Sequence, residues 1–411
     1  MTTFVYKRII ATNKARDGRK FMTPDEIAAK MDGHLFAAGQ GRKEAFLPSP
    51  KIQNHAAFLS FLPGGELACA WFGGTLEGKS DISIHISTLA DGADTWSRAH
   101  LASHDGERSE QNPMIYVKPD GNILLFHTAQ PSGNQDESRV MMHDLSATNG
   151  EITSGPARDI GLANGTFIRA TIVRRDDGAW MLPLFLCNPR PGAKWTGTHD
   201  TAAVAVSTDK GKTWAVTDVP DSFGCVHMTI VSLGGQDMAA FFRRRQSDFV
   251  YRTESRDGGR SWSVPQATDV PNNNSSIAAI RLADGRVALL CNPVSAATSD
   301  ARRESLYDEL GEDDHRPNAE GGITPIWGVP RAPVTLCISS DGGKSFPQRR
   351  IVEDGPGTCL SNNSVDGRNK EMSYPALLEG KDGTLHLAYT YYRRAIKYVQ
   401  LEKGWIDGEN A

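Results

Sequence analysis

Ser207-Thr208-Asp209-Lys210-Gly211-Lys212-Thr213-Trp214 is the stretch on which the fold reading turns. It fits the pattern S-x-D-x-G-x-x-W. Ser255-Arg256-Asp257-Gly258-Gly259-Arg260-Ser261-Trp262 repeats it, and Ser339-Ser340-Asp341-Gly342-Gly343-Lys344-Ser345-Phe346 repeats it with Phe in the last place. A degenerate copy ends in Asp91 and Trp96. The chemistry is that of a tight turn. Asp accepts hydrogen bonds from the turn backbone, Gly permits a positive φ, and the aromatic ring packs beneath the hairpin.

Around these turns runs a longer repeat. The units are HAAFLSFLPGGELACAWF (55–72), NPMIYVKPDGNILLFHTA (112–129), RATIVRRDDGAWMLPLFL (169–186), HMTIVSLGGQDMAAFFRR (227–244), SIAAIRLADGRVALLCNP (276–293) and YPALLEGKDGTLHLAYTY (374–391). Each is an apolar run, a turn with Gly and a second apolar run, and so reads as a β-hairpin. Six such units, each extended toward four strands and arranged radially, predict an all-β fold: a six-bladed β-propeller with short helical insertions. The S-x-D-x-G-x-x-W turns resemble the Asp boxes of sialidase-like propellers (BNR repeats). That resemblance covers nearly the whole chain and implies a structural role for the turns at the blade periphery.

The 411 residues then form one domain. The apolar stretch at 3–10 is expected to supply the outer strand that closes the last blade. Thr23-Pro24-Asp25-Glu26 followed by IAAKM predicts a short capped helix. Residues 295–333 interrupt blade five, with a helix expected from Ser299, and suit a lid or a homo-oligomer contact. The formal net charge of −4 gives no general attraction to nucleic acid or anionic membrane. No apolar run reaches the roughly 20 residues of a membrane span. The six cysteines form no CxxC pair and read as reduced, buried thiols, which with the absence of a signal-peptide pattern predicts a cytoplasmic protein.

In the sialidase-like family that the chain resembles, the innermost strand of each blade begins at the active-site mouth. Nine residues before Gly121, Gly178, Gly285 and Gly383 stand Asn112, Arg169, Ser276 and Tyr374; His227 and Ala56 are their counterparts in the other two units. Polar groups heading apolar strands are costly to bury alone, and a ring of them makes a candidate site. The sialidase resemblance assigns roles. Tyr374 stands in the nucleophile's place. Arg243, with Arg244 as the alternative register, and Arg331 match two of the family's three carboxylate-binding arginines, and Arg169 is a further candidate. Two positions depart from the family. Asn54-His55-Ala56 occupies the place of its R-I-P motif, and His227 replaces the glutamate that assists the tyrosine. Asp81 or Glu77, after the second strand of blade one, matches the region of the general acid. Arg108, Gln111 and Asn112 open blade two, and Arg393 ends the second strand of blade six; all four suit sugar binding.

The leading functional expectation is an enzyme that cleaves the glycosidic bond of an acidic sugar, using Tyr374, His227 and Asp81 or Glu77, with arginines holding the carboxylate. An alternative is a uronate lyase, in which Arg243 and Arg331 neutralise the carboxylate while His55, His227 or Tyr374 transfer protons. A non-catalytic glycan-binding propeller is the third reading. No cofactor is expected. The histidines His104, His127, His143 and His199 lack ligand spacing, so no metal is expected either.

Overall fold

The structure is a computed structural model that describes residues 22–131, 135–148, 150–303, 315–355, 357, 359–360 and 370–408. Six antiparallel sheets follow one another around an axis. Their inner strands are Gln53–Phe61, Ser109–Val117, Thr166–Ile168 with Val173–Arg174, Cys225–Gly234, Ala278–Arg281 and Met372–Glu379. The chain is thus a six-bladed β-propeller. Apolar side chains pack between blades, as where Phe72 and Ile84 of blade one meet Met114 and Phe126 of blade two and Leu184 of blade three.

Blade six closes the ring with an N-terminal segment. Its sheet runs from Met372–Glu379 through Leu385–Tyr391 and Ala395–Leu401 to Arg42–Phe46 and Phe36–Ala37. Ala45 pairs with Tyr398, so Arg42–Phe46 occupies the outer edge of Ala395–Leu401. The stretch 3–10, expected to close this blade, lies outside the described residues. Buried charges fix the closure: Lys397 Nζ pairs with Glu44 at 2.8 Å and also with Glu353. The helix Pro24–Ala29 forms as its sequence predicts, with Thr23 and Glu26 capping reciprocally.

The Asp-box turns behave as their chemistry requires. Asp209 Oδ1 accepts from the amides of Lys212 at 3.0 Å and Thr213 at 2.9 Å, and Ser207 Oγ donates to it at 2.8 Å. Asp257 and Asp341 make the same bonds. Phe346 is fully buried beneath its turn. At Gly343, with φ +82°, an added Cβ would lie 2.2 Å from the Phe241 ring.

Most of the helix expected from Ser299 lies outside the described residues. The rest of the 295–333 insertion folds back on its own chain. Ile326 N donates to Arg245 O at 2.7 Å and Ile323 N to Thr198 O at 2.9 Å. This segment is thus bonded to the loops that follow the second strands of blades three and four. All six cysteines are buried. Among the described residues, no helix is long and apolar enough to cross a membrane.

Candidate active site

Four of the six inner strands bulge at their first turn into the channel. Ala56, Asn112, His227 and Tyr374 have φ of 60°, 51°, 53° and 52°. In each strand the pairing register shifts at that point. A bulge inserts one extra residue and re-aims its side chain. Holding a non-glycine residue at positive φ costs on the order of 1–3 kcal/mol, a strain concentrated at functional sites. These four are equivalent positions in the repeat. Blade three departs by breaking its inner strand around Arg169, and blade five by starting its strand only at Ala278.

The bulges face a small polar pocket, lined among others by Tyr374, His227, Arg243, Asn112, Gln111 and Glu77. Arg243 Nη1 donates to the phenolic oxygen of Tyr374 at 2.8 Å. The same nitrogen lies 3.5 Å from His227 Nε2. An arginine can only donate, which puts the His227 proton on Nδ1. Among the described residues that Nδ1 is buried without a partner, as is Arg243 Nη2. Burial first, then the charges of Arg243, Arg169, Arg245 and Arg331, hold the His227 pKa well below the usual imidazole value. His227 is therefore neutral at pH 7. Burial also lowers Arg243 to about 10.

Behind Tyr374 lies a charged network centred on Glu371. Arg331 Nη1 meets Glu371 Oε1 at 2.8 Å, and Arg393 Nε meets Oε2 at 3.1 Å. Arg393 Nη1 also pairs with Glu77. Burial pushes the Glu371 carboxyl up, but Arg393, Arg331 and His55 outweigh it and hold the group well below its usual range. The guanidinium carbon of Arg331 is 5.7 Å from the Tyr374 ring centre.

Several expected residues are placed elsewhere. Arg169 sits under the pocket floor, where Nη2 donates to the carbonyls of Ala57, Tyr374 and Pro375 at 2.8, 3.1 and 3.2 Å, and Nε to Ser276 at 3.2 Å. It ties blades across the axis instead of facing a ligand. Asn54 is fully buried, its amide bonded to Lys51 O, Arg394 O and Trp71 Nε1. Asp81 accepts from Thr75 N at 2.8 Å and Thr75 Oγ1 at 3.0 Å, which closes its loop and leaves Glu77 as the pocket carboxylate of the two. His55 is 1% exposed, bonded to Thr390 Oγ1 at 2.8 Å, and supports the Tyr374 ring at 4.2 Å between centres. Arg108 is half-buried at the rim, with Nη1 3.5 Å from Ala129 O. Arg244 points away and stacks on Tyr251 at 3.9 Å.

The structure adds Arg245, Gln135, Phe167 and Phe185 to the pocket. Arg245 donates from Nε and Nη2 to Asp200 Oδ2 at 2.9 and 2.6 Å. Alternation along the RRR run would have found it, because residues 243 and 245 share a side and 244 faces the other. Glu371 carried a fainter signal as an acidic residue three positions before Tyr374. Among the described residues, no group of three or more His, Cys, Asp or Glu is placed to hold a metal ion.

Residues 65–387 match the family model of the BNR repeat-like domain. The chain belongs to that family. No curated protein matches it in sequence. Among solved structures, the Hadza microbial sialidase Hz136 superposes with a TM-score of 0.63 at 14% identity, covering 86% of this chain and 66% of that one. The NanB sialidase of Streptococcus pneumoniae gives 0.59 at 13% identity, over 90% of this chain and 70% of the other. The leech intramolecular trans-sialidase gives 0.61 at 12% identity, over 87% and 69%. This BNR repeat-like chain therefore spans about two thirds of the length of these sialidases and shares their propeller fold.

Proposed function

We propose that the chain cleaves a glycosidic bond of a sugar that carries a carboxylate. The state of Arg243 supports this reading. Arg243 is 1% exposed and, among the described residues, has no carboxylate partner; Nη1 donates to the Tyr374 oxygen and Nη2 makes no hydrogen bond. A buried cation without a counter-charge is costly, and a ligand carboxylate removes that cost.

In the displacement version, the Tyr374 oxygen attacks the anomeric carbon and the bond to the leaving oxygen breaks. His227 takes the phenolic proton and, as the imidazolium, returns it to the leaving oxygen, and water then releases the sugar. Arg243 stabilises the charge that develops on the phenolic oxygen. One observation favours elimination as a second reading: where sialidases carry a glutamate, this site holds a neutral histidine. In that version Arg243 neutralises the carboxylate and His227 removes the adjacent carbon-bound proton. The carbon–oxygen bond breaks as the double bond forms, and Tyr374 protonates the leaving oxygen.

The test is turnover of a panel of glucuronides, galacturonides and sialosides, followed by ultraviolet absorbance and by release of free sugar. Elimination creates an absorbing unsaturated uronate, and displacement releases the saturated acid. Turnover of neutral glycosides at the same rate would contradict the proposal. Binding of the acidic panel without turnover would leave a glycan-binding propeller.

A further inference from the structure

Arginine charges around Tyr374 are compensated unevenly. Arg245 is held by Asp200, itself fully buried. Arg331 and Arg393 share Glu371, and Arg393 also takes Glu77. Arg169 is turned onto carbonyl oxygens below the floor. Arg243, which faces the pocket, is held by an amide instead. Asn274 Oδ1 accepts from Arg243 Nε at 2.7 Å, while Asn274 Nδ2 donates to Ile326 O at 3.0 Å. Both contacts fix the amide orientation, since the guanidinium only donates and the carbonyl only accepts. Asn274 sits at φ 54° and is 1% exposed. An aspartate of the same size would pair with Arg243 as Asp200 pairs with Arg245. The amide supplies the hydrogen bond without the charge.

We infer that Asn274 sets the anion selectivity of this pocket: it positions Arg243 and leaves its charge for one carboxylate of the ligand. The ligand class is then a glycoside with a single anionic group, not a sulfated or phosphorylated polyanion. This rests on the acidic-sugar reading and narrows it.

Calorimetric binding of acetate, glucuronate and glucose 6-phosphate to the full chain tests it. Wild type is expected to take acetate and glucuronate and to disfavour the dianion. Asn274→Asp is expected to weaken both carboxylates by roughly tenfold or more, the scale of cancelling one buried charge-assisted contact. Asp200→Asn frees Arg245 and is expected to raise affinity for glucose 6-phosphate several-fold, a gain that a purely structural role would not give. A folded Asn274→Asp protein that binds acetate and glucuronate as wild type does overturns the inference. If Asn274→Asp does not fold, absence of a gain in Asp200→Asn overturns it instead. Binding of acetate but of no acidic sugar, lost in Asn274→Asp, would support the role of Asn274 and remove the acidic-sugar reading. Wild type that takes no probe at all overturns both.

Discussion

Tyr374 is held from three sides: Arg243 on its oxygen, His55 against its ring, and the carbonyl of its own residue bonded to Arg169. Tyr374→Phe removes the oxygen and little packing. It should abolish turnover while costing about 1 kcal/mol of stability, the net value of one hydrogen bond; initial rates and thermal melts check this, and retained activity would exclude the tyrosine. His227 titrates in an environment that binding changes. Its pKa is depressed first by burial and then by arginine charges, and a bound carboxylate offsets the arginine part. A base must be neutral, so its acid limb follows its pKa. The acid limb of kcat, which reports the complex, should lie at higher pH than that of kcat/KM, which reports the free protein. Coincident limbs would remove His227 as the base. Glu371→Gln leaves Arg331 and Arg393 buried without their shared anion and should cost about 3–5 kcal/mol at neutral pH. The folded pKa of Glu371 is depressed, so its contribution is present above the unfolded value near 4.3 and is lost as pH falls toward the folded one. Denaturant melts of the two proteins should therefore converge in acid.

Asp-box turns show what was legible in sequence at the level of the element. Their pattern is local, so Asp209, Asp257 and Asp341 could be read directly, and each holds its turn as expected. Asp341→Ala unpairs the amides of Lys344 and Ser345 and should lower the melting temperature with activity intact, because the turn is remote from Tyr374. Loss of activity at unchanged stability would contradict a structural role. Hairpin register likewise put Asn112, His227 and Tyr374 at one level of the channel, since the repeat spacing encodes it. Roles that depend on cross-blade partners were not legible. Arg169 heads its strand as Tyr374 does, yet a break in blade three sends it to carbonyls of blades one and six. Asp81 and Glu77 are four residues apart in one loop, and only the partner Arg393, from the far end of the chain, separates their roles.

Across the whole molecule, the site exists only if the ring closes. Blade six carries Tyr374 and Arg393, and its fourth strand is Arg42–Phe46. The sequence repeat announced a short last blade, but which N-terminal stretch completes it depends on charges buried between distant segments, such as Lys397 with Glu44 and Glu353. Ala45→Pro would remove a ladder bond in that closing strand and should lower the melting temperature of the fold. The most direct measurement of the pocket's role is a crystal structure of the Tyr374→Phe protein soaked with a glucuronide and a sialoside. An acidic-sugar enzyme of this design predicts the ligand carboxylate within about 3.2 Å of the Arg243 guanidinium. A carboxylate bound away from Arg243, or a sugar bound on another face of the propeller, would contradict it.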